Sequence, residues 1–179
     1  YGYTQTPAGG PLTSTTSTNA LGHVTTSTVD AARGDETALV DPNGKRTDAT
    51  YDPLGRLLKA WLPGRAKATQ TPSMDVSYVL STSAPSSVTT KRLKDDGTYE
   101  TNVELLDGML RQIQTQVPAA TGGRLVTDTF YDTAGRVRKT NAPYYALGTP
   151  GTWRFTAADN EVPTQQVTEF DGMGRPTAA

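Results

Sequence analysis

One short phrase recurs along this 179-residue chain: an aromatic or apolar residue, Asp, two variable positions, Gly, then a basic residue. It reads Tyr51-Asp52-Pro53-Leu54-Gly55-Arg56, Tyr131-Asp132-Thr133-Ala134-Gly135-Arg136 and Phe170-Asp171-Gly172-Met173-Gly174-Arg175. Looser copies stand at Thr18-Asn19-Ala20-Leu21-Gly22-His23, Val40-Asp41-Pro42-Asn43-Gly44-Lys45 and Leu106-Asp107-Gly108-Met109-Leu110-Arg111, where Leu110 replaces the expected Gly. The Asp or Asn positions are separated by 22, 11, 55, 25 and 39 residues, a unit of about 20 residues with insertions. Units this short bury apolar surface against neighbouring units, so the fold is a repeat array.

The phrase has a direct reading as a hairpin turn. An Asp carboxylate accepts hydrogen bonds from amides a few residues on, and a Gly three positions later supplies a positive φ. The flanks alternate as strands do: Leu125, Thr127, Thr129 and Tyr131 share one face, and Val126, Asp128, Phe130 and Asp132 the other. A two-residue turn at Asp96-Gly97 is expected to join residues 88–93 to 99–105. Thr contributes 31 residues, Ser 9, Gly 17 and Pro 12, a composition that favours strands and turns and opposes helix. The expected fold is therefore all-β, a run of successive antiparallel hairpins from 19 to 179. Residues 1–18 form a flexible or extended N-terminal segment, with disorder expected over 4–18. Insertions are expected at about 62–75 and 142–166, the second with its own aromatic cluster.

Charge and composition exclude several functions. With 17 Lys and Arg against 18 Asp and Glu, the net charge of −1 gives no reason to expect nucleic acid or an anionic membrane as a partner, since either needs a concentrated positive field. It has no Cys, hence no disulfide, thiolate nucleophile or Cys-based zinc site, and no apolar run of about 20 residues to span a bilayer. The first residue is Tyr1, which suggests an excerpt of something longer.

The copies of Tyr-Asp-x-x-Gly-Arg resemble the YD repeats of the RHS family, which includes the C component of bacterial insecticidal Tc toxins and the teneurins. The resemblance runs from about Asn19 to Arg175. It implies hairpins laid side by side into an arc of a spiralling β-sheet shell, typically enclosing a toxic C-terminal polypeptide, and an extracellular or cell-surface location. Partners implied are neighbouring repeats of the same larger chain or an enclosed toxin. Teneurins use a similar barrel in adhesion, and a carbohydrate-binding module is the alternative role. The family's aspartyl self-cleavage pattern has no match here, since Asp41-Pro42-Asn43-Gly44 reads as another turn.

No catalytic constellation emerges, and no cofactor or metal is expected. His23 is the only histidine and sits in the basic slot of a turn; no Gly-x-Ser-x-Gly elbow is present. Asp52, Asp107, Asp132 and Asp171 offer paired carboxylates for a glycosidase, but each has a turn to hold. The structural residues of the turns are accordingly Tyr51, Asp52, Gly55 and Arg56; Tyr131, Asp132, Gly135 and Arg136; and Phe170, Asp171, Gly174 and Arg175. Asp95, Asp96 and Glu100 are too few to cage calcium. Gly122-Gly123-Arg124 and Arg33-Gly34-Asp35 read as turns. Tyr144, Tyr145 and Trp153 remain as rings that could stack on a glycan.

Overall fold

The computed structural model describes residues 2–5 and 8–178; Tyr1, Thr6, Pro7 and Ala179 lie outside the described residues. The chain is all-β, with no α-helix among them. Thirteen strands follow one another in chain order in an antiparallel sheet of successive hairpins, and two more form a separate pair. They are β1 (Gly2–Gln5), β2 (Leu12–Thr18), β3 (Val24–Val29), β4 (Glu36–Val40), β5 (Arg46–Tyr51), β6 (Leu57–Trp61), β7 (Met74–Val79), β8 (Ser86–Leu93), β9 (Tyr99–Leu106), β10 (Gln112–Pro118), β11 (Arg124–Tyr131), β12 (Val137–Ala146), β13 (Gln165–Val167), β14 (Glu169–Phe170) and β15 (Pro176–Ala178). β1 and β2 occupy the N-terminal segment. Of the two expected insertions, 62–73 is a loop, whereas β12 continues through Ala146 before a loop that carries one 3-10 turn, Asp159–Glu161.

Two compact units divide the chain, Tyr1–Val76 with Arg92–Thr98, and Ser77–Lys91 with Tyr99–Ala179. In the first, Ala38, Asp48 and Trp61 are direct cross-strand partners on β4, β5 and β6, and all three are buried. The 62–73 loop folds back over them, and Gln70 accepts a hydrogen bond from the Trp61 indole at 2.9 Å. The second unit uses the same device on a larger scale. Val126 on β11 pairs with Tyr144 on β12, and the loop after β12 lays Val162, Phe155 and Ala157 over them together with Ala146. Removing a side chain the size of Val126 from water contributes on the order of 1.5–3 kcal/mol, which offsets part of the entropy of ordering the loop.

Eight of the hairpins share one turn. In each, the first residue's N–H donates to the carbonyl four positions on, and the fourth residue's N–H donates back to the first carbonyl. The expected copies at 19–23, 41–45, 52–56, 107–111, 132–136 and 171–175 all have it. So do 94–98 and 119–123, which start at Lys94 and Ala119 and escape the phrase. This corrects the two-residue turn expected at Asp96-Gly97: Gly97, at φ +80, fills the glycine slot of a longer turn that begins at Lys94. Leu110 holds that slot at φ +60, the only positive φ on a non-glycine among the described residues. A side chain there costs about 1–2 kcal/mol.

Candidate functional site

The repeated turns place each Asp where its sequence position suggests. In the turn at 132–136, Asp132 Oδ1 accepts the N–H groups of Ala134 and Arg136, both at 2.9 Å, and Oδ2 takes Nε of Arg136 at 2.7 Å. Asp52, Asp107 and Asp171 repeat the pattern with Arg56, Arg111 and Arg175. Both oxygens of Asp52, Asp107, Asp132 and Asp171 are thus engaged within their own turn. His23 sits in such a turn as well, its N–H donating to Asn19 Oδ1.

These contacts hold the carboxylates below the ordinary Asp range. The guanidinium of Arg111 leads at Asp107, and the backbone N–H groups of Arg136 and Arg175 lead at Asp132 and Asp171. At Asp52 burial pushes upward, and the N–H and guanidinium of Arg56 outweigh it. Asp96, held by the Thr98 hydroxyl and N–H and by Lys94, falls to about 2. A depressed folded-state value means stability that is fully present above the unfolded value of 3.8 and is lost as pH falls through the folded values. The native fraction is expected to stay level from neutral pH down to about 4 and to drop below it, and the carboxyl resonance of Asp96 is expected to titrate near 2. A midpoint near 3.8 for Asp96 would show that the turn does not hold it.

In the second unit the turns also touch one another. The Arg111 guanidinium stacks 4.3 Å from the Tyr131 ring centre, and Arg136 stacks at the same distance on Phe170. A methyl group on Gly135 would stand 2.9 Å from Arg111 Nη1, and one on Gly174 the same distance from Arg136 Nη1. Glycine in that slot therefore serves the neighbour's arginine besides its own φ of about +80. Tyr131 reaches back to the carbonyl of Gln112, the residue after Arg111, at 3.0 Å. Tyr51 makes the matching bond in the first unit, to the carbonyl of Glu36 at 2.9 Å, and Gly55 lies beside Asp35.

The most elaborate chemistry lies beneath the loop after β12. Arg124, Val126 and Asp128 alternate onto one face of β11, with Gln114 and Gln116 beside them on β10 and Asn141 and Tyr144 on β12, all buried. Asp128 accepts from Gln114 Nε2 at 2.6 Å, Asn141 Nδ2 at 2.9 Å and the Tyr144 hydroxyl at 2.8 Å. Burial and the neighbouring Asp128 raise the Tyr144 phenol above its ordinary range, so it remains a donor. The two glutamine amides act toward the loop as a strand backbone would. Gln114 gives to the Phe155 carbonyl and takes the Phe155 N–H; Gln116 gives to the Trp153 carbonyl and takes the Gly151 N–H. Arg124 donates to Gln116 Oε1 and the Thr149 carbonyl, and its guanidinium lies 4.8 Å from the Phe155 ring centre. Arg124 Nε and Asn141 Oδ1 have no hydrogen-bond partner.

The three rings singled out from the sequence do not gather into one platform. Tyr144 is 4 % exposed and belongs to the buried network. Tyr145, its neighbour on an alternating strand, turns to the other face and covers Gly123. Trp153 is 58 % exposed on the loop and packs against Gly151. Among the described residues no group of three or more His, Cys, Asp or Glu side chains is arranged to hold a metal ion, and no helix is long and apolar enough to cross a membrane. The five buried polar residues Gln114, Gln116, Arg124, Asp128 and Asn141 escaped the sequence reading as a group. Their signal was the even spacing that puts 114 with 116, and 124 with 128, on one face of strands already recognisable as such. No family model and no curated protein matches the chain.

Proposed function

We propose that this chain is a non-catalytic structural segment of an extracellular RHS/YD-repeat shell that encloses or carries a toxin polypeptide. The supporting observation is that one turn geometry recurs eight times, four in each unit, and that its functional groups are engaged by the turn itself or by the next repeat. A general acid or nucleophile needs a carboxylate free to meet substrate; here Asp52, Asp107, Asp132 and Asp171 have both oxygens occupied by N–H donors. Hiding a cargo requires instead a continuous sheet whose hairpins hold their register. Glycan adhesion, the other role offered by the resemblance, calls for rings exposed on a common surface. Tyr144 and Tyr145 instead point to opposite faces.

The test is the size of the native polypeptide in its source, measured by immunoblot with an antibody raised against this chain. A band several-fold larger than 19.1 kDa is expected, because one arc of a shell needs further repeats on either side. A band at 19.1 kDa would overturn the encapsulation role.

A further inference from the structure

In the first unit, the 62–73 loop and the 41–45 turn bound an open groove of about 1150 Å³. Four cations line it, Lys45, Arg46, Arg65 and Lys67, against a single carboxylate, Asp48. Arg46 grips that carboxylate with two bonds, Nε to Oδ2 at 2.9 Å and Nη2 to Oδ1 at 2.7 Å. Among the described residues the other three cations form no salt bridge, although Lys67 also acts on Asp48 through its charge. Arg65 donates to the carbonyl and hydroxyl of Thr71, both neutral. Lys67 lies 5.6 Å from the Trp61 ring centre and reaches the Ala49 carbonyl at 3.4 Å. Lys45 stands in the basic slot of its turn, yet its ammonium does not pair with Asp41 as the arginines of the other turns pair with their Asp; Asp41 accepts the backbone N–H groups of Asn43 and Lys45. The groove thus concentrates positive charge within a chain of net charge −1.

We propose that this groove docks an acidic polypeptide segment. Concave walls focus the field of Lys45, Arg65 and Lys67, a positive field that complements carboxylates. The lining distinguishes a peptide from other polyanions. It contains no aromatic ring on which bases or sugar faces would stack. Pro63, Gly64, Ala66 and Ala68 offer instead a low apolar wall against which an extended main chain and Glu side-chain stems can lie. This inference does not depend on the shell reading, since the groove belongs to the first unit whatever surrounds it.

The experiment titrates the whole chain into a dye-labelled poly-glutamate peptide and follows fluorescence anisotropy, at about 20 mM salt and again at about 0.5 M. Binding is expected at low salt and lost at high salt. Lys45→Glu and Lys67→Glu together are expected to weaken it about tenfold or more, whereas Lys91→Glu, in the second unit, leaves it unchanged. Lys45→Glu alone, at an exposed turn position, is expected to weaken binding without disturbing the loop, so a fault in folding of the double variant cannot mimic the result. Failure to bind the peptide at low salt, equal binding by Lys45→Glu and the parent, or tighter binding of an oligonucleotide or heparin of matched charge would each overturn the assignment.

Discussion

Replacing Asp128 by Ala is expected to cost about 3–4 kcal/mol of stability in the second unit, the largest effect of any single change in the buried network. The carboxylate is 3 % exposed and receives three donors, from Gln114, Asn141 and Tyr144. Deleting it leaves all three groups buried without their acceptor, and each bears a desolvation penalty of about 1–3 kcal/mol that relaxation only partly relieves. The isosteric Asp128→Asn separates hydrogen bonding from packing. It keeps the volume but puts an NH2 where a donor already points, so it is expected to destabilise as well. Urea denaturation followed by tyrosine and tryptophan near-UV dichroism measures both. Loss of less than about 1 kcal/mol in both variants would mean that the loop above Asp128 opens enough for water to replace the carboxylate.

The second large effect belongs to Trp61. Trp61→Ala is expected to cost about 3–5 kcal/mol, because a nearly buried indole leaves a cavity that a sheet face cannot close. It also removes the anchor that ties the 62–73 loop to β6, the indole bond to the Gln70 carbonyl. Arg65 and Lys67 lie in that loop, so limited trypsin digestion reads the release directly: cleavage between 65 and 68 is expected to accelerate well before the rest of the chain is cut. Trp61→Phe keeps most of the ring and forfeits only the bond, and should fall between the two. Unchanged cleavage in Trp61→Ala would show that the loop's other bonds, Arg65 to Thr71, Lys67 to the Ala49 carbonyl and the Ser73 N–H to the Ala60 carbonyl, hold it without the indole.

The turns were legible because their chemistry is local. Asp132, the N–H groups of Ala134 and Arg136, and the glycine at 135 lie within five consecutive residues, so the sequence carries the whole motif. The all-β class followed from those turns and from the alternation of 125–132. At 119–123 only the glycines are legible, as a turn at 122–124, because Ala119 and Gly123 supply only backbone groups to the shared geometry, which survives without the side chain that marks it elsewhere. The polar network escaped for a different reason. Gln114 meets Asp128 14 residues on and Phe155 41 residues on, and nothing in the residue types distinguishes a glutamine that bonds solvent from one that holds down a loop. Its burial is set by where the loop after β12 lands. The same holds for Tyr144 and Tyr145, adjacent in sequence and separated by the thickness of the sheet.

The arginine clasps of the second unit divide the labour between the two ends of its hairpins. At one end Arg111 grips Tyr131 and Arg136 grips Phe170, so each turn is indexed by the one before it. The opposite end carries the compact turn at 119–123 and the long loop after β12, where Arg124 lies against the Trp153 and Phe155 rings of that loop but, among the described residues, does not grip the next turn. Spacing between successive clasped Asp residues can therefore stretch from 25 to 39 while the fastened end keeps its order. One margin of the sheet behaves as a zip whose teeth count the hairpins, and the other as a fringe that can lengthen or acquire new sequence without unfastening them.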